Sequence, residues 1–369
     1  TTLFRSDPLN ENRVWPQVFS LTAAQESELK KYDVFSNKAS VNIGIKKSSY
    51  FEFWNSNGKG YGLFPSSTLG NFEDWNSLDE LEKASEFINI YENILEGNIN
   101  PETYLEHLLP IIEHEENQLL LNLEIGHLNN IYWNLLSGDK RKEVAPVVTG
   151  LYYTLMQKEE NPSRKKIFFN AYSNVATHAE ALEFLLQVWN KEITIENLSL
   201  SENDFISLAS NLAIKLPEKS DEILTLQESR IKNPDSKRRF QYLIPSLSNQ
   251  QSVRDDFFES LKQEENRETE SWVLSALGNL HHPLRIQDSE KYILPSLELL
   301  QEIQQTGDIF FPAGWTGRTL GNYSSDSAVN TVRDFLKNRP NYNHQLKLKI
   351  LQAADPIFRA NSIKKKWES

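Results

Sequence analysis

A histidine followed by a glutamate is the first feature of this sequence that could support catalysis. Zinc peptidases hold their metal with two histidines one helical turn apart, in the pattern HExxH, whose glutamate is the general base. The segment from His114 (HEENQ) begins this pattern, but Gln118 stands where the second histidine is needed. His107 could share a helical face with His114, yet the sequence places no third ligand. The pattern therefore indicates a polar helix end rather than a metal site.

A second candidate is the segment Gly307 to Gly321, which carries four glycines, one proline and three aromatic side chains around Arg318. This composition predicts an irregular loop that interrupts the neighbouring helices. Aromatic walls around one fork-shaped guanidinium could hold a planar anion such as a peptide carboxylate. Phe310, Phe311 and Trp315 could equally fill the core beneath the loop, and the two interpretations are compatible. Arg318 and Trp315 are therefore candidate substrate-binding residues.

Two further motifs are better explained by structure than by chemistry. The segment Asn55 to Gly60 (NSNGKG) has the residues of a turn, and it lacks the carboxylates of a calcium loop and the Lys-Ser/Thr pair of a phosphate loop. His281 and His282 precede Pro283 and are expected to end a helix rather than bind a metal. No nucleophile-elbow pattern is present.

Composition excludes several classes of protein. The 369 residues carry a net charge of −12, which argues against extensive nucleic-acid binding because phosphate contacts need clustered Lys and Arg. There is no cysteine, which excludes disulfides and thiol catalysis but leaves the compartment open. No apolar run approaches the ~20 residues that span a membrane. The chain does not start with Met, so we expect a processed product or a piece of a longer protein.

Capping motifs and three-to-four-residue apolar spacing predict a helical region from Ser77 onward. Ser77 to Glu80 and Thr177 to Glu180 match capping boxes, and Asn100, Asn161 and Ser201 are expected N-caps. Helices are predicted over 81–95, 119–136, 143–157, 162–173, 204–216, 218–232, 237–247, 253–261, 270–280, 291–305, 327–337 and 345–358. Another is expected to open at Pro101, and one is expected to follow the Thr177 box as far as Trp189.

Residues before this region have the alternating, β-branched character of strands, predicted over 14–21, 39–46, 50–54 and 61–64. We therefore expect two domains: a small β-sandwich-like domain over 1–72 and a mainly α domain over 73–369. Short connections between helices are typical of stacked antiparallel pairs. Since no strict period is present, the expected fold is a degenerate HEAT/armadillo-like α-superhelix.

Several segments are similar to those of a known family. They are Ile90 to Gly97 (IYENILEG), Gly126 to Trp133 (GHLNNIYW), Arg238 to Phe240, Pro245 to Ser248, His281 to Arg285, Gly307 to Pro312 and Leu351 to Asp355. Upstream, Trp15 and Asn57 to Gly62 (NGKGYG) continue the likeness. Over nearly its whole length the chain resembles the C-terminal region of zinc aminopeptidases of the aminopeptidase N type, in a bacterial-looking branch.

The resemblance implies a β-domain and a helical superhelix that cap the catalytic domain and close a peptide-holding cavity. In that family zinc and the catalytic glutamate belong to an HExxH domain, and a Gly-x-Met-Glu-Asn loop holds the substrate amine. Neither motif occurs here, so zinc is expected in a domain before residue 1, with no catalytic residue, metal ligand or cofactor in this chain. Some relatives bind the substrate carboxylate through a helical-domain arginine, for which Arg318 and Arg285 are candidates by residue type and loop context.

Two functions follow as hypotheses. In the first, the chain is the non-catalytic C-terminal portion of an enzyme that removes N-terminal residues from peptides. Its partners are then the catalytic domain of the same polypeptide and the peptide substrate, with no nucleic acid and no membrane. In the alternative, the chain is a stand-alone helical-repeat scaffold that binds a partner protein on its concave face. The missing initiator Met and the meagre predicted sheet favour the first.

Overall fold

The structure, a computed structural model, describes residues 15–25, 28–38, 41, 43, 51–66 and 78–367. The chain divides into two compact units, Thr1–Leu128 and Asn129–Ser369. The domain boundary predicted at residue 72 lies outside the described residues. Because the first unit extends to Leu128, it holds helices as well as the sheet. The chain as a whole is mainly helical with a small antiparallel sheet near its N-terminus.

The sheet has three strands, β1 (Gln17–Gln25), β2 (Glu28–Ser36) and β3 (Phe51–Trp54), in the antiparallel order β2-β1-β3. Phe19 and Leu21 point to one face of β1 and are buried. On the other face Val18 is exposed, whereas Ser20 and Thr22 are buried. A small core of Phe19, Leu21, Val34 and Phe64 forms on the buried face. The large apolar side chains Phe19 and Leu21 thus mark the face of β1 that packs against this core.

The strand predictions are partly confirmed. β1 and β3 overlap the predicted strands 14–21 and 50–54. β2 was not predicted, because its sequence ELKKYDVFS contains too many charged residues for a clear apolar alternation. Of the predicted strand 39–46, residues 41 and 43 are not in a strand and the remainder lies outside the described residues. The predicted strand 61–64 is wrong, because this segment runs unpaired and places Phe64 in the core. The turn at Asn55 is confirmed.

Three helices begin in the first unit: α1 (Glu80–Leu95), α2 (Pro101–His114) and α3 (Gln118–Asn130). The N-cap of α1 is Asp79, not Ser77, and Asp79 forms the capping box with Glu82. Ser77 itself lies outside the described residues. Glu82 also accepts a hydrogen bond from Thr22 and forms an ion pair with Lys31, so it links the start of α1 to the sheet. The predicted N-cap Asn100 is confirmed.

The second unit is built of helices. They are α4 (Gly138–Lys158), α5 (Pro162–Val175), α6 (Ala179–Asn190), α7 (Glu202–Lys215), α8 (Ser220–Arg230), α9 (Pro234–Leu247), α10 (Gln251–Ser260), α11 (Glu270–Leu280), α12 (Ile286–Ser289), α13 (Ile293–Thr306), α14 (Phe311–Leu320), α15 (Asp326–Lys337) and α16 (His344–Trp367). A π-helical turn, Ile131–Leu135, precedes α4. The N-caps Asn161 and Ser201 are confirmed.

Helices pack in a regular succession in the second unit. Consecutive helices contact each other, as in α4 with α5, α7 with α8, and α9 with α10. In addition, α5 contacts α7, α7 contacts α9, α9 contacts α11, α11 contacts α14, and α14 contacts α16. These five contacts form a row of side-by-side helices. The candidate site lies on this row.

Two predictions about the second unit are wrong. Gly307 to Gly321 is not an irregular loop, because α14 occupies most of it. A Cβ on residue 314 would lie only 2.8 Å from Cδ1 of Leu274 in α11. Glycine at this position therefore lets the two helices pack closely. The capping box predicted at Thr177 is absent. His178 is the N-cap of α6 and makes no side-chain capping bond, while the Thr177 hydroxyl lies 2.9 Å from that of Tyr132.

The cap of α7 can be tested through Ser201. Its hydroxyl accepts the amide of Asp204, and the Asp204 carboxylate accepts the amide of Ser201 at 2.8 Å. Ser201→Ala is expected to lower the free energy of unfolding by about 1 kcal/mol, measured by urea titration. Ser199→Ala, in the exposed turn before the cap, is the control and should change it by less than about 0.5 kcal/mol. Equal effects of the two variants would contradict the capping assignment.

Candidate functional site

A polar groove with a volume of about 340 Å³ opens along α7, α9 and α11 in the second unit. Its polar lining includes Asn174, Asn211, Arg239, Ser275, Asn279 and His282. Between these groups the floor is apolar, because α9 contributes the buried side chains of Phe240 and Leu243. We call this feature the polar groove. It combines an apolar base with several hydrogen-bonding groups, as small-molecule and peptide sites commonly do.

Helical spacing explains why these side chains meet. Ser275, Asn279 and His282 follow one another at intervals of four and three residues, which places them along one face of α11 and its C-terminal end. Ser207 and Asn211 are four residues apart on α7, and Ser236 and Arg239 are three apart on α9. Because α9 packs between α7 and α11, the three faces become adjacent.

Trp133 contacts several residues at one end of the groove. Its indole N–H donates to Oδ1 of Asn174 at 2.8 Å, and its ring meets that of His282 edge to face, with centroids 5.4 Å apart. Arg141 lies 5.1 Å above the indole, and Nζ of Lys215 lies 5.8 Å from it. Trp133 belongs to the π-helical turn, a local widening of a helix that is frequent at functional sites.

Lys215 is buried beneath this end of the groove. Its ammonium donates to the carbonyl oxygens of Ser173 and Asn174, both at 2.7 Å. These carbonyls end α5, so Lys215 supplies donors that the helix itself cannot. Burial lowers the pKa of Lys215 to about 7. A neutral amine keeps two N–H groups, which is enough for the two carbonyls.

His282 is held neutral. Burial lowers its pKa to about 3, and the charges of Lys215, Arg285 and Arg141 lower it further. Its Nδ1 accepts the backbone N–H of Leu284 at 3.2 Å. A neutral imidazole with an occupied Nδ1 offers an N–H at Nε2. His282 can therefore donate one hydrogen bond without carrying charge.

Arg239, on α9, and Arg318, on α14, both approach α11. The guanidinium of Arg239 donates to Oγ of Ser275 at 3.2 Å, and Arg318 reaches within 3.9 Å of where Gly278 would carry a Cβ. Ser275 and Gly278 are three residues apart, so both guanidiniums approach the same face of α11. Both side chains are exposed, and neither has an ion pair within the described ranges.

The structure separates the three residues that the sequence suggested for substrate binding. Trp315 is fully buried and donates to the carbonyl of Ser296 at 3.1 Å, as expected if it fills the core. Arg285 is buried and donates to the carbonyls of Ser246, Leu247 and Ser248 at the end of α9. Arg318 alone is exposed beside the row that carries the groove. The substrate-binding role of all three stays a prediction.

Sequence reasoning missed most of the groove. Arg239 was noted only within the segment Arg238 to Phe240, and Lys215 and Asn211 were not singled out. The four-and-three spacing of Ser275, Asn279 and His282 was an available signal for a polar helix face. No sequence signal could show that this face lies beside α7, since those residues are more than 60 positions apart.

The first unit contains a buried cluster of titratable side chains. The rings of Tyr91 and His127 stack at 3.9 Å, and the hydroxyl of Tyr104 lies 3.2 Å from Nδ1 of His127. Burial lowers the pKa of His127 to about 4 and raises that of Glu86 to about 7. Both shifts favour neutral forms, so the cluster behaves as core rather than as a charged site.

The incomplete HExxH segment at His114 has a structural role. Nδ1 of His114 lies 2.9 Å from the carbonyl oxygen of Pro110, and Oε1 of Glu115 accepts the backbone amide of Asn117 at 2.7 Å. Both side chains thus end α2. Within the described part of the chain, no group of three or more His, Asp or Glu side chains could hold a metal ion. No described helix is long and apolar enough to cross a membrane.

Lys215 gives the site a pH dependence. Its folded pKa of about 7 lies below its ordinary value of 10.5, so between these pH values the unfolded chain binds more protons. Stability should therefore rise with pH across this window, by at most about 1.4 kcal/mol per unit. Urea unfolding at pH 7 and pH 9 should show the wild type gaining stability relative to Lys215→Met. An unchanged gap between the two proteins would contradict a lowered pKa.

Arg285 and Arg318 should differ in their effects on stability. Arg285→Met leaves the buried carbonyls of Ser246 and Leu247 without a charged donor, while that of Ser248 keeps Arg254. It is expected to lower the free energy of unfolding by at least about 2 kcal/mol. Arg318→Met is a matched substitution at an exposed position and should change it by less than about 0.5 kcal/mol. Thermal and urea unfolding of both variants provide the comparison. A stable Arg285→Met protein would exclude the capping role.

Comparison with known proteins gives no family assignment: no protein-family model matches the chain, and a search of curated proteins finds no match. The likeness to aminopeptidases of the aminopeptidase N type therefore depends on the residues quoted above. Its functional content is taken up as a proposal.

Proposed function

We propose that this chain is the non-catalytic C-terminal portion of a zinc aminopeptidase, and that its second unit holds peptide substrate in the polar groove. The observation that carries the proposal is the pair of exposed guanidiniums, Arg239 and Arg318, beside a groove rich in amides and hydroxyls. In this role the chain caps the active-site cavity and shapes peptide access. The resemblance suggests the class of enzyme. The hydrogen-bonding groups of the groove suggest that its ligand is a peptide.

A peptide suits the groove chemically. A free carboxylate matches the fork of donors on a guanidinium, and amide groups match asparagine and serine. The chain carries a net charge of −12, so two exposed guanidiniums without an ion pair among the described residues are a local exception. Such a surface attracts a single anionic group, whereas nucleic acid would need many more basic side chains.

The succession of helix contacts supports the finer fold proposal. In a HEAT-like α-superhelix, every second helix lines one surface and packs on its equivalents in neighbouring pairs. The contacts of α5, α7, α9, α11, α14 and α16 follow this order, except that two helices, the single-turn α12 and α13, separate α11 from α14. We therefore propose that these helices form the inner layer of such an array, with the polar groove on that layer.

In this proposal the chemistry belongs to another domain. Zinc, the catalytic glutamate and the loop that binds the substrate amine come from the catalytic domain of the same polypeptide. The alternative, a stand-alone scaffold that binds a partner protein, predicts no such domain. The reading frame before Thr1 distinguishes them. An HExxH segment followed by a glutamate after 18 residues, as in the aminopeptidase pattern, supports the enzyme, and a stop codon before Thr1 supports the scaffold.

The arginine pair predicts selectivity for a free carboxylate. A fluorescein-labelled hexapeptide with a free C-terminus should bind the 369-residue chain about tenfold more tightly than its C-terminal amide, measured by fluorescence anisotropy. Arg239→Gln combined with Arg318→Gln should abolish this preference. Rising salt should weaken it in the wild type.

Arg238→Gln is the matched control for this experiment. Arg238 neighbours Arg239 on α9 and is exposed, but it is paired with Asp235 at 2.5 Å. This variant should keep the carboxylate preference. Equal binding of acid and amide peptides by the wild type would exclude the arginine pair as a carboxylate site.

A further inference from the structure

Four side chains of the polar groove have hydrogen-bonding directions that their neighbours fix. Three of them are asparagines, whose amide oxygen and nitrogen are otherwise interchangeable. Oδ1 of Asn174 accepts the N–H of Trp133, and because an indole only donates, Nδ2 of Asn174 is left as a donor. Nδ2 of Asn211 donates to the carbonyl of Ser173 at 3.2 Å, and because a carbonyl only accepts, Oδ1 of Asn211 is left as an acceptor.

The other two side chains with fixed hydrogen-bonding directions are Asn279 on α11 and His282 just after its end. Oγ of Ser246 donates its only hydrogen to the carbonyl of Leu243 at 2.7 Å, so it must accept from Nδ2 of Asn279 at 3.0 Å. This leaves Oδ1 of Asn279 as an acceptor. Nδ1 of His282 accepts the N–H of Leu284, so Nε2 carries the proton and donates. The groove thus presents two donors, on Asn174 and His282, and two acceptors, on Asn211 and Asn279.

One of these groups is unpaired in a buried position. Oδ1 of Asn211 is shielded from solvent and has no hydrogen-bond partner among the described residues. Buried amide oxygens are almost always paired in native structures. An N–H group from a bound molecule would satisfy it. This observation is independent of the arginine pair.

We infer that the polar groove binds a peptide through its main chain, in an extended conformation and with little dependence on sequence. An extended main chain presents alternating N–H donors and C=O acceptors, which is what two fixed acceptors and two fixed donors can pair with. The inference rests on the proposed function and deepens it by naming the part of the peptide that is recognised.

The dimensions of the groove set the length of the ligand. Neighbouring helices pack about 8–10 Å apart, so the distance from α7 across α9 to α11 is roughly 20 Å. An extended chain covers about 3.3 Å per residue, so about six residues cross the groove. Phe240 and Leu243 beneath them form a floor without charge. Side chains that point away from this floor face solvent, which explains the expected tolerance of sequence.

The test uses hexapeptides of alternating Ala and Ser, labelled with fluorescein, and the 369-residue chain. One version carries N-methyl groups on three alternate amides, which removes donors while keeping the side chains. A second version keeps every amide and replaces each Ser with Gln. We expect N-methylation to weaken binding at least tenfold and the side-chain change to alter it less than threefold, measured by fluorescence anisotropy.

Variants identify the contacts. Asn211→Ala and Asn279→Ala should each weaken the unmodified peptide about five- to tenfold but weaken the N-methylated peptide less than twofold. A merely structural loss would weaken both peptides equally, so this difference separates contact from damage. Asn249→Ala, at an exposed position outside the groove, is the control and should bind like the wild type. Circular dichroism checks that each variant is folded.

The outcomes separate the two proposals. If peptides bind but N-methylation changes affinity less than threefold, main-chain recognition is wrong while peptide binding stands. If the Ser-to-Gln peptide loses as much affinity as the N-methylated one, recognition is through side chains and the inference is likewise overturned. If none of the peptides binds, the proposed peptide-holding function fails and this inference fails with it.

Discussion

The fold depends on satisfying the carbonyl groups at the ends of its helices. The last four carbonyls of a helix have no partner within it, and their partial negative charge favours a cation nearby. In the second unit this need is met by basic side chains from later in the chain, of which Lys215, Arg285 and Arg254 are buried and Arg230 is half-buried. Lys215 holds the end of α5, Arg285 the end of α9, and Arg230 the carbonyl of Trp189 in α6. Arg254 adds donors to Ser248 and Asn249 after α9. Each contact stabilises a helix end and fixes the next helices against it.

These capping contacts also determine the properties of the polar groove. Lys215 fixes the backbone of Asn174, and the side chain of Asn174 receives the indole N–H of Trp133. The same cation, with Arg285 and Arg141, disfavours a charge on His282. The hydrogen-bonding direction of the groove therefore follows from interactions that also hold the helices together. Because of this shared origin, variants at the caps change both stability and site, whereas Arg239 and Arg318 can be changed with little effect on the fold.

Local features of the fold could be predicted from sequence, and features that depend on distant contacts could not. The caps Asn100, Asn161 and Ser201 were predicted correctly, because a cap involves only residues within one turn. The N-cap of α1 was predicted at Ser77 but is Asp79, and its capping-box partner Glu82 also contacts the distant strand residue Thr22. Gly314 suggested a loop, but its lack of a side chain accommodates Leu274 of another helix. The role of Arg285 depends on carbonyls nearly 40 residues away, which residue type alone cannot reveal.

Stability alone does not explain the residues that line the groove. A surface that only meets water is usually covered by long charged side chains, and a surface that only packs is covered by apolar ones. Asn211 fits neither case, because its amide is partly used for a backbone carbonyl while its oxygen is buried and unpaired. A leucine there would bury more apolar area, and a lysine would reach solvent. An N–H group of a bound peptide would complete the hydrogen bonds of this oxygen, which agrees with the proposal that the groove binds a peptide main chain.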